Sequence, residues 1–385
     1  MRFSNRTLRN QPNSISIASE NRTVALLNLS DSNPTHNSLQ PKSAQESYDA
    51  DPRGSLTARS QLAEFIAANQ NRSVDTNNLH LLSSTSQGYS WLIKLLCDPG
   101  DAVLAPRPGY PLISDLAALE CAEVLDYTMH WDGSWWIDTA QLETLAAENQ
   151  ERLKALIAIN PNNPTGSYLA KDERTKIISI CQKYHLALIA DEVFFEYELN
   201  GCGQRLAGED SVLTFALDGL SKNLGAPGAK LAWLQTSGPK EQVDEALERL
   251  DVIADSYLPM SQLITAQLPN LLAEIPSQQK RIGQRTRRNL QTLKEIVEFS
   301  RTGTISILSP EGGWSVLLRF PSFIDEENLV LELIEKHQIT VQPGYFFDLL
   351  IDGFVSLSLL LEPKVFRHAA NTLVMAIDEI VEANS

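Results

Sequence analysis

The chain predicts an α/β fold in which a mostly parallel sheet, flanked by helices, is joined to a smaller α/β domain. Three observations carry that expectation. Short apolar runs alternate with segments of helical spacing from Arg53-Gly54 to about Leu234, which is the rhythm of βαβ units. Three of the runs, Ala155–Ile159, Leu186–Ala190 and Val212–Phe215, read as buried strands, and each leads into polar residues of a different kind. Beyond Leu234 the character changes to long helical stretches followed by a few short strands and a closing helix.

Taken in order, Ser60 to Asn69 and Tyr89 to Cys97 carry helical spacing. Val103–Ala105 reads as a strand, Tyr110 to Leu119 as a helix and Glu123 to Tyr127 as a strand. Thr139 to Asn149 and Lys171 to Tyr184 are helices around the first buried strand. The later part predicts helices over Pro239 to Asp251 and Ser261 to Ser300, then strands over Thr304 to Leu308 and Ser315 to Phe320. A helix near Glu327 to His337, a strand at Ile339–Val341 and a helix after Pro363 close the chain.

Composition bounds the function without naming it. The chain has 385 residues, room for two domains, and 43% of them are hydrophobic. A net charge of -16 lacks the basic footprint that nucleic acid or an anionic membrane surface would need. Cys97, Cys121, Cys181 and Cys202 show no paired metal spacing, and the six histidines are scattered, so no metal is expected. No apolar signal region or membrane-length run is visible, and the expected location is the cytoplasm.

The chemistry lies at the strand ends. Asn160-Pro-Asn-Asn-Pro-Thr-Gly166 follows the first buried strand. Its two prolines fix φ and bias the residues before them towards extended backbone, so the amide of Asn163 can be aimed. The second strand ends in Asp191-Glu192-Val193, and the third leads to Gly219-Leu-Ser-Lys222 and the loop Gly225–Lys230. Ligands of open α/β sheets bind beyond the carboxyl ends of the strands, where amide, carboxylate and amine would meet. Such a trio suits a salt-bridged core, which is seldom favoured for stability alone, or a pyridoxal phosphate site.

In order and spacing these motifs resemble the class I/II aminotransferases among the fold-type I pyridoxal phosphate-dependent enzymes, from about Leu29 to the C-terminus. The resemblance implies an aminotransferase moving an amino group between an amino acid or related amine and a 2-oxo acid. Lys222 would form the Schiff base and shuttle the α-proton, Asp191 would keep the pyridine nitrogen protonated, and Asn163 would steady the ring phenolate. Thr85 and Ser86, in a turn that the residues alone read as a helix N-cap, would take the phosphate with Ser221 and Lys230. Lys230 stands where the family typically has arginine, Ser84 where it usually has glycine, and Gly219 where it often has serine. Tyr110, in Ala105-Pro-Arg-Pro-Gly-Tyr-Pro111, would stack on the ring. Tyr48 would reach the phosphate from the partner subunit, implying a homodimer with a shared active site. Asn33, in the loop Asn28–Thr35, would face substrate. The implied organisation is an N-terminal segment (1–44) packing with the small domain, a large cofactor-binding domain (45–275) and a small C-terminal domain (276–385).

Two departures stand out. Phe194 occupies the place of a tyrosine whose hydroxyl bonds the ring phenolate, with Tyr197 as a conceivable compensation. Ser356, in Gly353–Ser358, stands where the family carries the arginine that clamps the substrate carboxylate. Another cation, with Arg319, Arg53 and Arg107 as candidates, would have to replace it, or the substrate is not a simple α-amino acid. The second possibility gives weight to a lyase of carbon–sulfur or elimination type on the same scaffold. A cofactor-binding homologue with little catalysis is a third reading.

Overall fold

The computed structural model describes Phe3, Ser4, Thr7 and residues 50–384. Two sheets organise them. The large-sheet region comprises α1 (Leu56–Gln70), β1 (Leu79–Leu82), α2 (Thr85–Leu96), β2 (Ala102–Arg107), α3 (Leu112–Leu119), β3 (Glu123–Trp131) and β4 (Trp135–Ile137). It continues with α4 (Thr139–Glu148), β5 (Leu153–Ile159), α5 (Lys171–Tyr184), β6 (Ala187–Asp191), β7 (Thr214–Gly219), α6 (Leu220–Asn223) and β8 (Ala232–Ser237). Then follow α7 (Lys240–Tyr257), α8 (Gln262–Thr265), α9 (Leu268–Glu298), β9 (Ser306–Leu308), β10 (Ser315–Arg319), α10 (Glu326–His337), β11 (Gln342–Pro343), β12 (Phe354–Ser358) and α11 (Pro363–Ala383).

The eight strands of the large sheet run in the order β1-β8-β7-β6-β5-β2-β3-β4. β3, β2, β5, β6 and β7 are mutually parallel; β8 and β4 run against them at the two margins, and β1, antiparallel to β8, returns to their direction. Alternate residues of the central strands serve opposite faces, as a pleat requires. Val103, Ile157, Ile189 and Phe215 meet Leu92 of α2 and Leu250 of α7 on one face. Leu104, Leu156 and Leu188 meet Leu142 of α4 and Ile177 of α5 on the other. Burial on both faces explains why these strands lack the alternation of a half-exposed strand.

The second sheet has the order β11-β12-β10-β9, all antiparallel. It packs on α9, α10 and α11 through Leu293, Leu318, Leu329, Val355 and Ile377. α9 connects the two regions. Leu268, Leu272 and Ile275 of its first half belong to a core with α1, β1 and β8, whereas Leu290, Leu293 and Ile296 belong to the core of the small sheet.

Some expectations are corrected. The strand expected at Ile339–Val341 lies instead at Gln342–Pro343, where two residues pair with Ser356 and Val355. β3 runs on to Trp131 and turns back as β4, with Trp131 packed near Trp135 at 5.6 Å between ring centroids. The long helical stretch from Ser261 is broken after Thr265 into α8 and α9. The third buried strand also reaches Gly219, well past Phe215. Among the described residues no helix is long and apolar enough to cross a membrane, and no cluster of potential metal ligands occurs.

Candidate active site

The carboxyl ends of β5, β6 and β7 lie side by side because the parallel register pairs Ile159 with Asp191 and Asp191 with Leu217. Beyond them a cavity is lined by Thr85, Tyr110, Asn163, Asp191, Phe194, Ser221 and Lys222, with Gly219 and Ala232 at its wall. The structure thus brings seven of the expected site residues into one cavity. Asn163 is delivered by a loop held at both flanks. The Asn160 N–H donates to the Asp191 carbonyl at 2.8 Å, and the Gly166 N–H donates to the Asn162 carbonyl at 2.8 Å.

Lys222 sits in the single turn of α6. Asp218 accepts from Asn223 Nδ2 at 2.6 Å, and Tyr197 Oη donates to the Lys222 carbonyl at 2.7 Å. The ammonium lies over two aromatic faces, 5.2 Å from the Phe194 centroid and 5.3 Å from that of Trp314. Burial lowers the Lys222 pKa, and the nearby Asp191 charge opposes that effect. More of the amine is therefore unprotonated near neutrality than for a surface lysine, the condition for a nucleophile. Burial also raises the Asp191 carboxyl to about 6, against hydrogen bonds from Tyr89 and the Val193 N–H that favour its charged form.

Thr85 and Ser86 occupy the first turn of α2. Ser84 is the N-cap, accepting from the Gln87 N–H at 3.2 Å, and Gln87 Oε1 accepts from both the N–H and Oγ of Ser83 at 2.8 Å. The cap pairs the Gln87 N–H, and the partially positive helix start lies beside Thr85, which lines the cavity. Burial raises the Tyr110 pKa, and the nearby Ser86 hydroxyl opposes that rise. Gly219 is explained by packing: a Cβ there would stand 2.8 Å from Ala232 Cβ on the adjacent strand.

Other expected residues fall elsewhere. Lys230 is exposed, with φ of 50°, and lines a separate crevice with Ser83, Gln87 and Tyr257. Arg319 is exposed at the end of β10 farthest from Trp314, about 16 Å along an extended strand. It has no ion pair among the described residues. The sheet register sets Arg319 opposite Phe354 and Leu317 opposite Ser356, so Arg319 shares a face with Ser356 one diagonal step away. Arg53 is committed to Asp251 at 2.8 and 2.6 Å, and Arg107 donates to the Asp348 carbonyl at 2.9 Å. Tyr197 does not compensate for Phe194, because its hydroxyl is spent on the carbonyls of Lys222 and Asn223. Tyr48 and Asn33 lie outside the described residues.

Two residues of the site were not assigned from sequence. Tyr89, fully buried on α2, donates from its hydroxyl to Asp191 Oδ2 at 2.8 Å. Trp314, which immediately precedes β10, forms one aromatic wall of the lysine, edge-on to Phe194 at 5.3 Å and to Tyr197 at 5.0 Å. A polar tyrosine among the apolar positions of α2 is the one signal that could have marked Tyr89. Nothing local marks Trp314, whose contacts cross more than ninety residues of sequence.

The family model described as aminotransferase class I and II matches residues 42–373. Among relatives, a glutamate-pyruvate aminotransferase of Haemophilus influenzae is 27% identical over 224 residues. That match covers 57% of this chain and 55% of the relative, so it spans about half of the relative's own length. Among solved structures, a tyrosine aminotransferase from Leishmania infantum superposes with a TM-score of 0.78 at 20% identity, covering 90% of this chain and 85% of that one. Cystalysin from Treponema denticola, solved with a pyridoxal 5'-phosphate cofactor, gives 0.75 at 20% identity over 85% and 83%. The two structures share the fold, and the family match extends over most of the sequence: the chain belongs to the class I and II aminotransferase family.

Proposed function

We propose that this protein is a pyridoxal 5'-phosphate-dependent aminotransferase that moves an amino group between an amino acid and a 2-oxo acid. The observation that carries the proposal is the convergence of Lys222, Asp191 and Asn163 on one cavity, with the lysine pKa depressed by burial. The donor set fits the cofactor: an amine, a buried carboxylate in reach of a pyridine nitrogen, an amide for a phenolate and a capped helix start for a phosphate. When bound, the cofactor supplies an electron sink for the charge left at the substrate carbon. Lys222 would hold the cofactor carbonyl and move the α-proton, its depressed pKa serving both tasks. Asp191 would hold the proton at the ring nitrogen. Thr85, Ser86 and Ser221 would bind phosphate, and Tyr110 would cover the ring face.

Lys230 would join them in the phosphate site, and Tyr48 of a second copy of the chain would complete it. We therefore propose a homodimer with shared active sites, located in the cytoplasm. Its division would be an N-terminal segment (1–44), a cofactor domain (45–275) and a small domain (276–385). Asn33 and Arg319 would contact the substrate, Arg319 lying on the face of Ser356 without an ion pair among the described residues. Ser356 also favours a second reading, an elimination-type lyase, since a serine cannot supply the bidentate clamp that fixes a carboxylate.

The test is to load the purified protein with pyridoxal phosphate and supply single amino acids with and without 2-oxo acids. Transfer of nitrogen in equal amounts from donor to 2-oxo acid supports the proposal. Release of ammonia or sulfide with pyruvate, without any acceptor, would instead establish the lyase.

A further inference from the structure

We propose that Tyr89 is a positioning residue: its phenol fixes the Asp191 carboxylate towards the cavity and restrains its basicity, so that the proton of a bound pyridine stays on the ring nitrogen. This rests on the reading of Asp191 as the partner of a pyridoxal phosphate ring. The observation is the bond from Tyr89 Oη to Asp191 Oδ2 at 2.8 Å, between side chains 1% and 5% exposed. The other oxygen, Oδ1, accepts the Val193 N–H at 3.2 Å. Each carboxylate oxygen thus has one protein donor, and the plane of the carboxylate is set before any ligand arrives.

Packing places Tyr89 there. Its neighbour Gly88 lies so close to β7 that a Cβ would stand 2.5 Å from Leu217 Cδ2. Helix α2 can therefore lie flat against the sheet, and a side chain one residue on reaches across to the end of β6. The same helix presents Thr85 and Ser86 at its start. One rigid element thereby sets the distance between the expected phosphate site and the residue that orients the carboxylate.

The electrostatic role follows from what the hydrogen bond favours. A donor to the ionised carboxylate stabilises that form and lowers its proton affinity. Asp191 needs the help, because burial raises its pKa and Glu192 raises it further, while Lys222 and the Val193 N–H lower it. Tyr89 is not itself a proton source. Burial, Asp191 and the neighbouring Tyr110 and Tyr127 push its own pKa well above the ordinary tyrosine value, so it remains a neutral donor at every working pH.

Tyr89→Phe keeps the ring and removes the donor; Tyr89→Leu removes both. In the cofactor-free protein, the Asp191 carboxyl is titrated by ¹³C NMR. The expected result is a midpoint higher by about one pH unit in both variants, the scale of a hydrogen bond to a charged group. In the protein loaded with pyridoxal phosphate labelled at the ring nitrogen, the ¹⁵N resonance should move towards the neutral-pyridine position in both variants. The cofactor dissociation constant should rise about ten-fold in both. A residue that merely fills space would leave Tyr89→Phe like the wild type in all three measurements while Tyr89→Leu suffered, and that result overturns the proposal. Should the wild type fail to take up pyridoxal phosphate, the cofactor reading falls by itself, and the carboxyl titration still decides the Tyr89–Asp191 coupling.

Discussion

Replacing Asp218 by asparagine should flatten the pH dependence of this protein's stability. Asp218 is the penultimate residue of β7, four before Lys222, is 6% exposed, and accepts from its own neighbour Gly219 N–H at 2.7 Å and from Asn223 Nδ2 at 2.6 Å. Burial outweighs these bonds and the attraction of Arg205, and raises its carboxyl from 3.8 to about 7. The folded chain keeps the proton up to about pH 7, whereas the unfolded chain releases it near 3.8. Between those values the native state binds more protons, so stability falls as pH rises. Integrated over that window at 1.36 kcal/mol per pH unit, the loss amounts to roughly 4 kcal/mol. Asparagine has nearly the same shape and cannot ionise. The assay is urea unfolding of wild type and Asp218→Asn from pH 4.5 to 8, the difference cancelling every other titrating group, Asp191 included. The variant should gain on the wild type by several kcal/mol across the range. Two parallel curves, or a wild type that gains on the variant with rising pH, would refute the reasoning.

Lys222→Ala should leave a folded protein that borohydride no longer links covalently to pyridoxal phosphate, judged by mass spectrometry; persistent labelling at the same site would exclude Lys222 as the nucleophile. Phe194→Tyr places a hydroxyl on the ring that Lys222 Nζ faces at 5.2 Å. The pH midpoint of the bound cofactor's visible absorbance should fall by about one pH unit, because a donor to the phenolate favours the charged form. Gly312→Ala would bring a Cβ within 2.7–2.9 Å of the Tyr168 ring and hydroxyl. Since Tyr168 Oη is tied to the Phe195 carbonyl at 2.7 Å, the variant should lose about 1–3 kcal/mol in urea unfolding, and an unchanged midpoint would show that Tyr168 can move aside.

Much of the site was legible because its residues sit at strand ends, where local pattern and function coincide. Asp191 closes an apolar run, Asn163 is fixed by the prolines around it, and Lys222 follows a strand into a one-turn helix. Their meeting required only the general rule for parallel sheets, and the register of β5, β6 and β7 places all three at one edge. What escaped depends on contacts far apart in sequence. Tyr89 looks like a core position of a helix until α2 is pressed onto the sheet. Trp314 gains its place from the loop that returns it to Phe194. The β3–β4 hairpin was legible: Asp132-Gly133, between Trp131 and Trp135, is a hairpin turn signal that lies beyond the strand expected to end at Tyr127. The two tryptophans are held by burial against Leu308, Leu317 and Phe354 of the small sheet. β11 was misplaced by three residues, since a two-residue pairing has too little pattern to set its own register.

The loop before β10 is anchored chiefly to the large-sheet region. The N–H groups of Leu199, Asn200 and Gly201 all donate to the Glu311 carbonyl, at 2.7, 3.0 and 3.3 Å. The N–H groups of Glu311 and Gly312 donate to the Gly166 carbonyl at 3.0 and 2.8 Å, and Gly313 N–H donates to the Tyr197 carbonyl. Trp314 follows at once, so it behaves mechanically as part of the frame that holds Lys222 even though it opens a strand of the other sheet. On the opposite flank the ties are sparser: Gly109 N–H to the Phe347 carbonyl at 3.4 Å and Arg107 to the Asp348 carbonyl at 2.9 Å. If the small sheet turns relative to the large one, the pivot lies at residues 310–313 and the travel is greatest near Phe347. A turn about that pivot would leave Trp314 beside Lys222 and shift the flank where Gly109 and Arg107 make their bonds.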